Sequence, residues 1–241
     1  MPNERTSGEL AHAKAVNEMF SGIAKRYDFL NHFLSLNIDK RWRKLVSRKL
    51  VDILQNENAV ILDVACGTGD LSVELQQSGK AKVIGTDFCR PMLAVAAEKN
   101  PKNNLTIPYL EGDGMNLSFD DNTFDAVTIA FGLRNFSNWH DGLIELRRIL
   151  KVGGKLAVLE FSTPIIPGFK QAFNFYFANV LPRIGGAVSG SRGAYEYLPN
   201  SVRKFPDQKE LVKMMSEVGF ENVEYKNLTG GIAALHIGTK V

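Results

Sequence analysis

The sequence predicts an α/β fold of the Rossmann-like kind: a mostly parallel sheet with helices on both faces and an antiparallel strand at the C-terminal end. Three observations predict it. Between Val60 and Phe161, short apolar runs rich in β-branched residues alternate with helix-length amphipathic stretches, as strands and crossover helices of a parallel sheet do. The first run ends in Gly67-Thr68-Gly69 and passes straight into a helical pattern, which brings the backbone to a ligand at the carboxyl edge of such a sheet. Two short runs near the end, 223–225 and 233–237, are spaced to form a hairpin.

Taken in order, residues 1–11 are polar without apolar periodicity and are expected to be disordered. Residues 12–24 and 38–54 carry helical periodicity; with the irregular, aromatic connection at 27–37 they make an N-terminal helical cap, 12–54. Strand 60–64 leads to a helix from about Asp70, and strand 82–87 to a helix over 91–100, where Pro91 suits a first turn that needs no N–H. Runs 105–111 and 124–130 give the third and fourth strands. A helix over 141–151 is expected to stop at Gly153-Gly154, with a fifth strand at 155–161. Residues 164–206 break the rhythm with Phe169, Phe173, Phe175, Tyr176 and Phe177, then Gly185-Gly186. An insertion there, on the ligand side, reads as a lid over an acceptor pocket; ordinary helix packing is the other reading of its aromatic stripe. Asp207 and Glu210 predict a capping box for a helix over 208–218. Residues 12–241 then form a single domain.

Composition narrows the function. The chain has 241 residues, 44% apolar and 23% charged, ordinary values for a globular protein. No apolar run approaches bilayer length, and the N-terminus lacks the apolar core of a secretion signal. Cys66 and Cys89, the two cysteines, form no metal or redox pair, so a reduced, cytoplasmic chain is expected. The net charge of +3 is unevenly spread. Between 12 and 50, Lys14, Lys25, Arg26, Lys40, Arg41, Arg43, Lys44, Arg48 and Lys49 face only Glu18, Asp28 and Asp39. Such a face is either solvated or drawn to anionic lipid at the inner face of the membrane, by about 1 kcal/mol per base. Nucleic acid is not an expected partner, since no zinc, helix-turn-helix or RNA-binding signature occurs.

The ligand can be argued from the turn. Gly67 and Gly69 let a ligand lie close to the main chain. Asp87 ends the second strand about twenty residues on, where an acid grips ribose hydroxyls. Ser72 stands where a dinucleotide site needs its third glycine, and no Gly-Lys-Ser/Thr holds a phosphate chain. That argues against a nicotinamide oxidoreductase. A turn flanked by Asp63 and Asp70 suits a cationic nucleoside without phosphates, and S-adenosyl-L-methionine fits, with its ammonium end beside those acids.

These residues resemble the class I methyltransferases that use S-adenosyl-L-methionine. The segment Tyr27-Asp28-Phe29-Leu30-Asn31-His32-Phe33-Leu34-Ser35 with Trp42, the motif Phe131-Gly132-Leu133-Arg134-Asn135, and Leu181-Pro182-Arg183-Ile184-Gly185 are similar to signatures of the quinone C-methyltransferases, over residues 12 to 241. That family includes the demethylmenaquinone and polyprenyl-benzoquinol methyltransferases. Asp39 stands where many members have histidine, Leu30 where methionine is common, Val152 where proline is usual, and Ala65 replaces the first glycine of the common turn. The resemblance implies that Thr68, Asp87, Asp113 and Gly114 bind the donor, beside Asp63, Gly67 and Gly69. Asp113 is placed to accept from the adenine amino group. It implies a polyprenylated quinol as acceptor, demethylmenaquinol ahead of the ubiquinone precursor, with no metal, and leaves a homo-oligomer open. A non-catalytic donor-binding subunit of a quinone-pathway complex is the alternative from another class.

The reaction needs a ring hydroxyl, with a pKa near 10 like a tyrosine phenol, to push electron density into the carbon that takes the methyl. Arg134 is expected to stabilise the developing phenolate or to polarise a water, rather than to act as a base, since a guanidinium keeps its proton. Tyr27 and Asn135 are expected to bond the quinol or a water. His32 is the one histidine near the signature and is kept as a candidate base.

Overall fold

The computed structural model describes residues 5–35, 37–166, 171 and 192–241. Its sheet has seven strands: β1 (Val60–Val64), β2 (Lys82–Asp87), β3 (Tyr109–Glu111), β4 (Phe124–Ala130), β5 (Leu150–Phe161), β6 (Phe220–Leu228) and β7 (Ala233–Lys240). They lie in the order β3-β2-β1-β4-β5-β7-β6. Strands β1 to β5 are mutually parallel, and β7 runs antiparallel between β5 and β6. The chain leaves β1 toward β2 and β3, then returns to place β4 on the other side of β1. Strand order reverses there, and ligands of open α/β sheets bind at the carboxyl ends beside such a reversal.

The strands are apolar on both faces because helices cover both. Alternate residues of one strand face opposite layers. Ile61, Val83, Ala157 and Leu159 pack with Val46, Leu50, Leu71 and Leu75. Leu62, Val64, Ile129 and Val158 pack on the other side with Leu143, Leu146, Leu211 and Met215. Each such side chain fully withdrawn from water contributes about 1.5–3 kcal/mol, so the sheet holds the strand ends firmly.

The helices are α1 (Ser7–Leu34), α2 (Ile38–Lys49), α3 (Val51–Leu54), α4 (Asp70–Gln77), α5 (Arg90–Asn103), α6 (Trp139–Ile149), α7 (Arg192–Lys204) and α8 (Gln208–Glu217). Helix α1 corrects two expectations. Residues 7–11, expected to be disordered, are helical, as are 27–34, expected to be irregular. Its start is fixed by a reciprocal cap: Thr6 N donates to Glu9 Oε2 at 2.8 Å and Glu9 N to Thr6 Oγ1 at 3.3 Å. The periodic stretch 38–54 divides at Leu50 into α2 and α3. Helix α6 ends at Ile149, not at Gly153-Gly154, because Leu150 already pairs with Phe124. Gly153, with φ of +81°, lies inside β5 where the pairing register shifts. The predicted box before α8 forms, with Glu210 N on Asp207 Oδ1 at 3.0 Å and Asp207 N on Glu210 Oε2 at 3.1 Å. Most of the expected lid, including Phe169, Phe173, Phe175, Tyr176, Phe177, Gly185 and Gly186, lies outside the described residues, as does the motif from Leu181 to Gly185.

Candidate active site

Strands β1, β2 and β4 and the loops after them open on one cavity, which α1 crosses. Asn17 Nδ2 in α1 donates to Phe88 O after β2 at 2.8 Å, and His12 Nε2 donates to Asn135 O after β4 at 3.1 Å. Among its lining residues are Gly67, Thr68, Asp87, Asp113 and Gly114, and on the opposite flank Tyr27, Phe131 and Asn135. Nine of the ten residues expected at the site line one cavity or its immediate turn; Arg134 does not line it.

The turn after β1 is shaped by left-handed backbone. Gly67 and Gly69 have φ of +56° and +79°, which glycine adopts without steric cost. At Gly69 a Cβ would fall 2.4 Å from the Tyr109 hydroxyl, so the turn sits directly on that ring. Gly114 is equally constrained, since a Cβ would meet Phe136 Cζ at 2.4 Å. Ala65 adopts φ of +50°, a conformation that costs a side-chain-bearing residue roughly 1–2 kcal/mol.

Two carboxylates lie beneath the turn. Asp87 accepts from Gly67 N on Oδ2 and from Cys89 N on Oδ1, each at 2.8 Å. Burial pushes its pKa to about 6, against the pull of those N–H groups. Asp87 lines the cavity, and a carboxylate oxygen can accept more than one hydrogen bond. Asp63 is different. Its oxygens accept from Ser72 Oγ at 2.6 Å and Thr128 Oγ1 at 2.8 Å, and burial raises it to about 6. Ser72, the residue in the missing-glycine position, therefore secures the carboxylate at the end of β1.

The acids expected to meet a ligand's ammonium are already engaged. Asp70 pairs with Lys99 at 2.5 Å and Arg43 at 3.1 Å, and Arg43 also holds Asp39 at 2.7 Å. Thr68 Oγ1 donates to Asp28, which pairs with Lys99 at 2.7 Å. These contacts knit α1, α2, α4 and α5 around the glycine turn. Sequence reading does not single out Arg43, Asp28 and Lys99 for this role, and only Arg43 sits at a legible place, the buried face of α2. Cys66 and Cys89 carry free thiols, and burial raises both.

On the β4 flank, Arg134 is turned inward. Its Nη1 donates to Glu160 Oε1 at 2.9 Å and to Phe131 O, and its guanidinium carbon lies 5.4 Å from the Phe161 ring centroid. Burial raises the Glu160 carboxyl, and the Arg134 cation opposes the rise. In this placement the Arg134 charge is compensated by Glu160 within the core, and Arg134 is not among the residues lining the cavity. Asn135 Oδ1 accepts from Tyr197 Oη at 3.1 Å. Phe131 and Phe161 stack with centroids 4.6 Å apart, and Trp42 stands beside both. Glu160 is absent from the sequence-based expectations, although it ends an apolar strand as Asp63 and Asp87 do. The His32 side chain lies outside what is described.

A seven-stranded sheet of this order, in a chain whose sequence matches a methyltransferase family profile over nearly its whole length, defines a class I S-adenosyl-L-methionine-dependent methyltransferase. An Aquifex aeolicus SAM-dependent methyltransferase has the same fold, with a TM-score of 0.58 at 20% identity over 81% of this chain and 89% of that one. Along one flank the cavity carries glycine in the turn after β1, an acid at the end of β2 and an acid after β3. The chain belongs to the ubiE/COQ5 methyltransferase family, whose profile matches residues 8–240. A Thermus thermophilus protein named demethylmenaquinone methyltransferase is 48% identical over 92% of this chain and 100% of its own length. Its Deinococcus radiodurans namesake is 45% identical over 94% and 93%. A Geobacter protein named ubiquinone/menaquinone biosynthesis C-methyltransferase is 44% identical over 93% and 96%.

Proposed function

We propose that this enzyme transfers a methyl group from S-adenosyl-L-methionine to a ring carbon of demethylmenaquinol, giving menaquinol. The observation that carries the reading is a single cavity with a nucleoside cradle on one flank and an aromatic wall with Tyr27 and Asn135 on the other, in a chain 48% identical to a relative named for that reaction. The bound donor supplies an electrophilic methyl on sulfur. Asp87 takes the ribose hydroxyls, Asp113 the adenine amino group, and Arg43 faces the methionine carboxylate. Phe131, backed by Phe161, sets the plane of the quinol ring, and Tyr27 and Asn135 bond its hydroxyl. As that hydroxyl gives up its proton, the ring carbon bonds to the methyl, the carbon–sulfur bond breaks, and the ring then sheds its own hydrogen as a second proton while the oxygen regains one. Holding the two partners in line offsets roughly 7–11 kcal/mol of barrier. Arg134 acts as a positioning residue that fixes the Phe131 carbonyl and the loop carrying Asn135.

The acceptor's prenyl tail implies work at a lipid surface. The face of α2 with Lys40, Arg41, Lys44 and Arg48 is exposed, opposite buried Trp42 and Val46. We assign it to anionic headgroups. Arg43 is removed from that face by its burial, and Lys49 is paired with Glu224 at 2.9 Å. Among the described residues no helix is long and apolar enough to cross a membrane. Labelled-methyl transfer under reducing conditions to demethylmenaquinol and to 2-methoxy-6-polyprenyl-1,4-benzoquinol tests the acceptor. Faster transfer to demethylmenaquinol is expected. Preference for the benzoquinol would move the enzyme to the ubiquinone pathway, and donor binding without turnover on either would leave a non-catalytic subunit.

A further inference from the structure

We propose that Arg5 completes the base-reading edge of the donor site, so that the residue just ahead of α1 binds the adenine ring together with Asp113. The proposal rests on the donor reading above. Arg5 lines the cavity, and its Nη1 lies 2.5 Å from Asp113 Oδ2. Its other terminal nitrogen, Nη2, is buried without a hydrogen-bond partner. Leaving a buried donor unsatisfied costs about 1–3 kcal/mol, more when it is charged, so an orphan at the wall of a ligand cavity points to an acceptor that arrives with the ligand.

The chemistry of the edge is specific. Asp113 offers acceptor positions, and the guanidinium beside it offers an N–H. Adenine presents the matching order, an exocyclic amino donor next to a ring-nitrogen acceptor. A 6-oxo purine would turn an oxygen toward the carboxylate and be repelled. Asp113 is itself fixed, since Met115 N donates to its Oδ1 at 3.0 Å. Arg5 is anchored through the start of α1 by the Thr6–Glu9 cap and the Leu10 N to Thr6 O bond at 3.1 Å. The His12 and Asn17 bonds then fasten α1 to both flanks of the cavity. Docking of α1 and recognition of the base are therefore one event.

The test is calorimetric titration of the full chain with S-adenosylhomocysteine and with its 1-deaza and 7-deaza analogues, each of which replaces one ring nitrogen beside the amino group by C–H. Arg5→Ala should weaken S-adenosylhomocysteine roughly tenfold, the loss of one charged hydrogen bond at a partly exposed site, and Arg5→Gln, which keeps an N–H, should recover part of it. With one of the two deaza analogues the Arg5→Ala penalty should vanish. Asp113→Asn should weaken all three ligands. Wild-type affinity in Arg5→Ala, beside a weakened Asp113→Asn, overturns the role of Arg5 alone. Tighter binding in Arg5→Ala overturns it too, since Arg5 would then compete with adenine for the carboxylate. So does a penalty that persists with both analogues, which would place its whole effect in docking α1. If Asp113→Asn binds normally, the base edge itself is misplaced and the underlying reading fails with it.

Discussion

Removing Arg134 separates a positioning role from a chemical one. In Arg134→Ala the Glu160 carboxylate, with a side chain 2% exposed, loses its partner. Breaking a buried pair from one side costs about 3–5 kcal/mol, and the lost stacking over Phe161 adds roughly 1 kcal/mol. For a domain of this size each kcal/mol lowers Tm by about 2–4 °C, so thermal unfolding should move down by roughly 8–24 °C. The paired replacement Arg134→Met with Glu160→Gln removes both charges and keeps an acceptor for the backbone N–H groups of Phe161 and residue 134, which bond Glu160; its Tm should return to within a few degrees of wild type, about 1 kcal/mol. Methyl transfer should still be strongly impaired in the paired variant, because Arg134 no longer holds the Phe131 carbonyl and the loop bearing Asn135. Two results would refute this reasoning. An Arg134→Ala protein with unchanged Tm and donor affinity but no turnover would put the guanidinium on the acceptor. A paired variant with wild-type turnover would leave the pair without any role in positioning.

Four further outcomes are expected. The Asp87 carboxyl has a pKa raised to about 6, so ribose binding needs a proton removed below that pH; S-adenosylhomocysteine affinity by calorimetry should be flat above about pH 7 and fall by up to roughly tenfold per unit below pH 6, and a flat profile from pH 5 to 8 would exclude Asp87 as the ribose acceptor. For the ligand-free protein the sign is opposite: Asp63 and Asp87 hold protons more tightly when folded, so their share of stability falls as pH rises from about 4 to 6 and is constant above, which urea melts across that range measure. Ser72→Ala takes one hydrogen bond from the buried Asp63 carboxylate, which should cost about 1.5–3 kcal/mol at pH 8 and clearly less at pH 5; equal losses at both would mean that Asp63 is not the partner that matters. Gly69→Ala combines φ of +79° with a Cβ 2.4 Å from the Tyr109 hydroxyl, and should weaken donor binding more than tenfold, at least about 1.4 kcal/mol, while Gly67→Ala, whose Cβ meets nothing within 4 Å, should weaken it less.

The strands of the sheet are legible in the sequence because a strand covered on both faces must carry a mostly apolar run, as β1 and β4 do and as Val83-Ile84-Gly85 does within β2. The acid at the end of β2 is legible for the same reason, as a charge that interrupts such a run. Glu160 carries the same signal at the end of β5, but its meaning depends on Arg134, whose motif points to the ligand rather than to the core. Helix α1 departs from expectation at both ends. The Thr-x-x-Glu at its start is a recognisable cap signature, whereas residues 27–34 are helical without a clear helical periodicity in their sequence. Gly153 has the look of a helix stop, and the pairing of Leu150 with Phe124 overrides that local preference. The ion pairs of Lys99 with Asp28 and Asp70 leave no trace in sequence, since nothing local to α5 marks which helix will lie above it.

The two flanks of the cavity meet at the place where strand order reverses, and the loops after β1 and β4 pack closely there. A Cβ on Gly132, after β4, would fall 2.6 Å from the Ala65 Cβ, after β1. Ala65 holds its left-handed conformation there despite a cost of roughly 1–2 kcal/mol, which persists only where the surroundings leave no alternative. The turn that carries Gly67 therefore cannot shift without moving the loop that carries Phe131 and Asn135. In-line methyl transfer depends on the distance and angle between a nucleoside on one flank and an aromatic carbon on the other. A close fit of alanine on glycine at the seam, with Asp63 bonded across it to Thr128 of β4 at 2.8 Å, fixes that geometry before either ligand arrives.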